Sequence, residues 1–263
     1  MQAAVVPPEI DSDDREFVNS LARGLAVIRA FSRDAPEMTL SEVAARTGLT
    51  RAAARRFLLT LERLGYVCSD GRRFRLAPKI LDLGFAYLSS MDLWDVAMPY
   101  MEQVSAEIAE SCSASVLEGC DIVYVARVPT KRIMSVALNL GARLPAFATS
   151  MGRVLLAHLP EAQARDSLGR CPLPKLTART IVEPERLWAV LQDVRAKGWC
   201  LVDEELEEGL RSVSVPLRNK RGLVLAAINV SGHASRVTPE QMVERYLPVL
   251  QRAADNIARA LPG

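Results

Sequence analysis

Histidine is almost missing from this 263-residue chain, which holds two, His158 and His233. A Ser/His or Cys/His hydrolase would have to use one of them, and neither lies in a GxSxG, HExxH or HxE…CxxC context. The five cysteines (Cys68, Cys112, Cys120, Cys171, Cys200) include no CxxC pair and are odd in number. That argues against a zinc cage and against a disulfide framework, so reduced thiols and no metal are expected. Walker A and dinucleotide fingerprints are absent, and no cofactor is expected. Long apolar runs are also missing: nothing approaches the ~20 residues that span a bilayer, and the opening MQAAVVPPEIDSDDRE has neither the positive flank nor the apolar core of a secretory signal. The expectation is a cytoplasmic protein with no membrane partner. Net charge is only +2, which excludes a wholly basic nucleic-acid coat but leaves room for one basic module.

What is present is a mixed chain, 49% hydrophobic and 24% charged, long enough for one large or two ordinary domains. Residues 1–16, with two prolines and five acids, are expected to be a mobile tail. Leu21, Leu25 and Ile28 then mark an amphipathic helix from Ser20 to about Arg33. Thr39-Leu40-Ser41-Glu42 has the capping-box form and starts a short helix that Gly48 ends. Thr50 caps a third helix, with Ala53, Ala54, Phe57, Leu58, Leu61 and Leu64 on one face and Arg51, Ala52, Arg55, Arg56 and Arg63 on the other; Gly65 closes it. Tyr66–Cys68, the turn Ser69-Asp70-Gly71 and Arg73–Leu76 read as a hairpin. Pro78 opens an apolar helix containing Leu81, Leu83, Phe85 and Tyr87.

Beyond Met91 the texture changes. Helices are expected at 93–109, 150–158, 184–197 and, as one long closing element, 239–261. Strands are expected at 114–117, 122–128, 133–138, 200–203, 212–217 and 224–230. No βαβ rhythm appears, so the second domain reads as antiparallel α+β.

Helix, capped helix, Gly turn, Arg-rich helix and hairpin follow the order of a winged helix-turn-helix, whose third helix enters the major groove. Charge supports that order. Between Arg46 and Lys79 nine bases face two acids, a local net of +7 against −5 for all other residues. Such a segment neutralises phosphates and releases their counterions.

Over nearly the whole chain, the sequence resembles the IclR family of bacterial transcriptional regulators. The resemblance rests on Ser20–Leu25, Thr39–Ala44, Gly48–Arg51 and Leu61–Tyr66 in the first domain. In the second it rests on Gly152–Ala157, similar to the family's G-[KR]-x-x-L-A helix, and Asp203–Ser212, similar to its D-x-E-x-x-x-G segment. Arg15–Leu21 and Ile228–Arg236 resemble the branch controlling aromatic-acid catabolism, the PcaR, PcaU and PobR type. The resemblance implies a homodimer or dimer of dimers whose GAF-like domain binds a small organic acid, an aromatic acid or a β-ketoadipate-like product, and controls transcription from a double-stranded DNA operator. The chain reads as a 17–77 DNA-binding domain, a 78–90 linker helix and a 91–263 effector domain, and not as an enzyme. A small-molecule-processing enzyme with an accessory DNA-binding module is the alternative.

Arg51, Arg55 and Arg56 are the expected groove readers, with Ala52 able to meet a thymine methyl. Ser41, Thr50, Arg72, Arg73 and Arg75 are expected at phosphates or the minor groove. For the effector, the helix start Thr149-Ser150-Met151-Gly152 offers free amides and a positive dipole end. Asp203, Arg211 and Ser212, with Glu205 beside them, form the expected other half, and Arg127 is the substitute cation should Arg211 face away. Simple capping competes for Thr149 and Ser150, and hydrogen bonding to the Gly209 loop competes for Asp203 and Glu205. His158 is expected to end its helix as a cap.

Overall fold

The computed structural model describes residues 16–89, 93–130 and 139–261. They fall into two units that divide near residue 90. The expected tail, apart from Glu16, and the expected strand at 133–138 lie outside the described residues.

In the first unit, α1 (Asn19–Arg29) buries Ala26 and Val27. A short strand β1 (Glu37–Thr39), which no sequence pattern announced, runs directly into α2 (Leu40–Thr47). Thr39 makes that junction sharp. Its hydroxyl accepts from the Glu42 amide at 3.4 Å while its own amide donates to Glu42 Oε2 at 2.7 Å, a complete capping box. These bonds to the carboxylate hold Glu42 below its ordinary pKa. Gly48 ends α2 at φ +67°, a left-handed conformation that costs glycine little. Thr50 caps α3 (Arg51–Arg63) by accepting from the Ala53 amide at 3.2 Å. Ala54, Leu58 and Leu61 of α3 are buried against Val27, Met38 and Val43, as helical periodicity requires. Leu64 departs from that expectation: it is the C-cap of the helix, its amide still bonded to the Thr60 carbonyl at 3.0 Å, and its side chain is 53% exposed. The hairpin is β2 (Val67–Ser69) and β3 (Arg73–Leu76), and β1 adds to β3 to make a three-stranded wing. Asp70 Oδ1 accepts from the amides of Arg72 and Arg73, both at 2.8 Å, around Gly71 at φ +92°. A 3₁₀ turn at Pro78–Ile80 leads into the apolar α4 (Leu81–Ser89).

The second unit begins with α5 (Leu93–Ile108) and is built on one antiparallel sheet of six strands: β4 (Ser111–Glu118), β5 (Asp121–Val128), β6 (Arg143–Pro145), β7 (Cys200–Asp203), β8 (Leu210–Arg218) and β9 (Val224–His233). Their order is β6-β5-β4-β9-β8-β7. The edge strand β6 falls inside the expected 140–145 loop and is pinned by Arg143, which bonds Glu118 at 2.6 Å and Asp121 at 3.1 Å. On one face lies α6 (Ser150–Ala157), backed by α7 (Glu161–Arg170) and α8 (Pro184–Lys197). The other face is covered by α5 and the closing segment. That segment is not one α-helix. A turn α9 (Pro239–Gln241) passes through a π turn at Met242–Tyr246 into α10 (Leu247–Ala260), because Pro248 has no amide to continue the i→i−4 ladder.

All eight residues of α6 are buried. Gly152 is obligatory there: a Cβ would sit 2.1 Å from the Ala146 carbonyl oxygen. Buried Arg153 grips Glu205 with two bonds of 2.6 Å and donates from Nε to the Phe147 carbonyl at 2.7 Å. Glu205 also accepts from the Ile181 amide at 3.0 Å, and its backbone carbonyl accepts from Thr180.

One expectation is corrected outright. The five cysteines are not all thiols, since Cys120 and Cys171 form a disulfide across 51 residues. The turn between β4 and β5 and the end of α7 converge only in the fold, so spacing could not announce the pair.

Removing one partner of the Arg153–Glu205 pair strands a buried charge. Glu205→Ala is expected to lower stability by about 3–5 kcal/mol, read as a fall in urea midpoint; a loss under ~1 kcal/mol would show that water reaches Arg153 freely.

Candidate functional site

The outer face of α3 carries the helix-turn-helix chemistry. Arg51, Ala52, Arg55, Arg56 and Arg63 are all exposed, and Ser41 is exposed in the first turn of α2. Thr50 is exposed as well, yet its hydroxyl is committed to the cap. On the wing, Arg73 and Arg75 alternate with half-buried Phe74 and Leu76, so strand pleating sends both cations to solvent. Arg72 joins them at the turn, and Arg75 lies 4.0 Å from Glu37. The nine expected DNA contacts therefore fall on the start of α2, the start and outer face of α3, and the wing, all exposed in the first unit.

The second unit holds a small cleft between the start of α6 and the sheet. Thr149, Ser150 and Met151 line one side; Ser212, Asn229 and Ser231 line the other; Tyr124, Val202, Leu206 and Leu210 make it apolar between. Polar groups converge in it. Ser150 and Ser212 share a 2.7 Å hydroxyl bond, and Asn229 Nδ2 donates to Ser212 at 2.9 Å and Ser231 at 3.0 Å. Asn229 is 4% exposed, and its Oδ1 is buried with no hydrogen-bond partner among the described residues. Thr149 accepts from the Gly152 amide at 3.1 Å. The amides of Ser150 and Met151 thus remain the open donors of the helix start. Gly152 serves close packing, its amide being used by the cap.

Two expected residues do not join them. Arg211 and Ser212 are adjacent on β8, so their side chains leave opposite faces of the sheet. Arg211 bonds Asp203 at 2.5 Å and donates to the Val237 carbonyl, while Asp203 also pairs with Arg179. Asp203 and Arg211 are a cross-strand ion pair away from the cleft. Glu205 belongs to Arg153, and it is Glu204 that accepts from the Gly209 amide, at 2.9 Å. Arg127 stands nearer. It donates to Ser113 at 3.2 Å, and Ser113 is paired across the sheet with Asn229, which places all three on the cleft's face. Asn229 and Tyr124 were missed in the sequence; the alternation of Ala227, Asn229 and Ser231 on one strand face was the available signal.

Among the described residues no His, Cys, Asp and Glu group could hold a metal ion, and none of the helices is long and apolar enough to cross a membrane. His233 bonds Ser235 at 2.7 Å and packs over Gly209, where a Cβ would approach its Nε2 to 2.9 Å. His158 caps α6.

The description "Bacterial transcriptional regulator IclR C-terminal" fits residues 85–259, and the IclR helix-turn-helix domain fits residues 20–71. The chain belongs to the IclR family. Among IclR relatives, it is 47% identical to the Pca regulon regulatory protein of Pseudomonas putida, over 99% of this chain and 93% of that one. It is 36% identical to the p-hydroxybenzoate hydroxylase transcriptional activator of Acinetobacter baylyi, covering 95% and 93%. An IclR homolog from Microbacterium hydrocarbonoxydans, solved with 4-hydroxybenzoate, superposes with a TM-score of 0.81 at 27% identity, covering 92% of this chain and 100% of that one. As an IclR protein the chain is a ligand-responsive, DNA-binding transcriptional regulator, with basic α3 and wing in one unit and the cleft in the other.

His158 gives the effector unit a pH signature. Arg218 donates to its Nε2 at 2.7 Å, so Nδ1 carries the proton to the Val154 carbonyl, also at 2.7 Å. Burial, then the charges of Arg218 and Arg195, hold its pKa below 6.5. The folded state therefore binds the proton less readily than the unfolded chain. Its contribution is intact above pH ~6.5 and is lost as pH falls through that value. The urea midpoint should drop between pH 7 and pH 5 in wild type and drop less in His158→Gln; parallel profiles would remove His158 from the account.

Proposed function

We propose that the cleft takes one hydroxylated aromatic acid of the 4-hydroxybenzoate or protocatechuate kind, and that its occupancy changes operator binding by the winged helix-turn-helix. The observation that carries this is Asn229, whose buried Oδ1 is an acceptor with no partner among the described residues and which lines the same cleft as a helix start with two open amides. A buried acceptor left unmade costs about 1–3 kcal/mol, and a ligand hydroxyl would satisfy it. The carboxylate takes the amides of Ser150 and Met151, where the helix dipole favours an anion, and Arg127 supplies positive charge in place of Arg211. Val202, Leu206, Leu210 and Tyr124 enclose the ring. The name of the Acinetobacter relative and the 4-hydroxybenzoate complex support this choice over a ring-cleavage product.

The protein works as a dimer or dimer of dimers in the cytoplasm. Leu81 and Phe85 of α4 are 71% and 68% exposed, and Leu21 of α1 is 62% exposed, more apolar surface than a short helical unit leaves to water. A second copy covering it would give symmetric half-sites on DNA. The catalytic alternative has no support in the histidines, one a cap and the other packed on a glycine.

Calorimetric titration tests the effector reading. Wild type should prefer 4-hydroxybenzoate to benzoate by about tenfold or more; Asn229→Ala should lose that preference, and Arg127→Gln should weaken both acids. No heat with any aromatic acid would sink the reading.

For DNA, Arg55→Ala or Arg56→Ala is expected to cost about 1–3 kcal/mol of operator affinity and leave the fold intact. Arg73→Ala should weaken operator and random DNA alike and flatten the salt dependence by about one charge. Wild-type affinity in both α3 variants at fixed salt would mean that α3 does not read the groove through them.

A further inference from the structure

We propose that Cys120 and Cys171 form a reversible thiol–disulfide exchange site that sets the order of the effector cleft's floor. The three other cysteines are poorly placed for such chemistry. Cys112 and Cys200 are buried, and burial pushes each thiol up to about 12, so neither forms a thiolate near neutral pH. Cys68 is alone in the first unit's wing. Cys120 and Cys171 are both half-buried, within reach of a small thiol, and 5.5 Å apart between Cα atoms. A DNA-binding regulator works where low-molecular-weight thiols keep cysteines in exchange, so this pair is exposed to a redox pool rather than sealed from it.

Its position gives the exchange a consequence. Cys120 sits in the tight turn between β4 and β5, and its carbonyl accepts from the Ala146 amide at 3.0 Å. Ala146 opens the 3₁₀ turn Ala146–Ala148, which leads straight into Thr149 and α6. The Ala146 carbonyl is the surface against which Gly152 packs, and the Phe147 carbonyl is held by Arg153. Cys171 ends α7. Against the bond pack Gly119, Ala146, Phe147, Leu156 and Leu168, so the two cysteines border the segment that leads into α6. The bridge ties the hairpin turn to the end of α7. Cleaving it frees the support of the Ala146–Gly152 segment.

The chemistry balances with a small disulfide such as oxidised glutathione. One cysteine thiolate attacks it, forming a mixed disulfide and releasing one glutathione. The second cysteine then displaces the other glutathione to close the Cys120–Cys171 bond. Two protein thiols lose two electrons and two protons, and one glutathione disulfide becomes two thiols.

The effector arm of the test rests on the aromatic-acid reading; the exchange arm does not. The full-length chain carrying Cys68→Ser would be equilibrated across reduced-to-oxidised glutathione ratios, then alkylated and mapped by mass. Expected are loss of two alkylation sites, at Cys120 and Cys171 only, and slower amide hydrogen exchange by at least about tenfold over residues 146–152 in the oxidised form. Tm should fall by several degrees on reduction, since the bond closes a long loop. Cys171→Ser should behave as the reduced form at every ratio. Failure of the pair to oxidise in pure oxidised glutathione would overturn the proposal, and so would equal exchange over 146–152 in both forms. In the effector arm, 4-hydroxybenzoate should bind the oxidised form several-fold tighter. Absence of binding to either form would count against the aromatic-acid reading alone, since hydrogen exchange decides the thiol site without a ligand.

Discussion

The helical wall of the cleft hangs on one buried ion pair, Arg153 with Glu205. α6 is short and wholly buried, so it gains little from helix propensity and must be placed by tertiary contacts. Arg153 places it. Its guanidinium fixes the turn before the helix through the Phe147 carbonyl and the β7–β8 connection through Glu205. Glu205 in turn gathers Ile181 and Thr180 from the segment before α8. Such a pair does not maximise stability, because desolvating two ions costs about as much as their attraction returns. What it supplies is a unique arrangement, since every donor of the fork has one acceptor at one position. A cleft that must discriminate between small acids needs its walls held to that standard.

The helix-turn-helix unit obeys a different constraint, local capping. Thr39, Thr50 and Asp70 each turn the chain sharply by offering a side-chain oxygen to backbone amides two or three residues on. Those caps need no distant partner, and they aim α3 and the wing tip. The cations can then be left entirely in water, where their counterions are available for release. Charge is thus segregated by unit: basic groups in the first are exposed, whereas Arg153 and Arg211 in the second are buried and neutralised by carboxylates.

That contrast explains how much was legible in the sequence. Caps, glycine stops, helical stripes and the basic face are short-range patterns, so α1 to α3 and the hairpin could be read directly. β1 could not, because three residues give no periodicity, and its partner β3 lies some 35 residues on. α7 escaped because it buries only Ala164 and Leu168. In the second unit the fold brings some of the expected residues together and separates others. Thr149, Ser150, Met151 and Ser212 do meet, yet Arg211 was paired with its neighbour Ser212 although a strand sends adjacent side chains to opposite faces. Glu205 lay among the expected effector residues, but its partner was set by a helix 52 residues away. The Cys120–Cys171 bond was hidden for the same reason.

Effector response follows from what the cleft leaves unfinished. A ligand moves a conformational equilibrium only by binding its two states with different affinity. Shifting a regulator from 1:99 to 99:1 takes about 5.5 kcal/mol of difference, more than one hydrogen bond supplies. On the proposed reading, the cleft would meet that demand by combining terms on its two walls: two open amides on α6, and an acceptor at Asn229 and a nearby cation on the sheet, with an apolar slot between. If α6 moves relative to β8 and β9, these groups are lost together rather than singly. The Ser150–Ser212 bond joins helix to sheet inside the cleft itself, so on that reading it is the contact through which a bound acid and the position of α6 would act on one another.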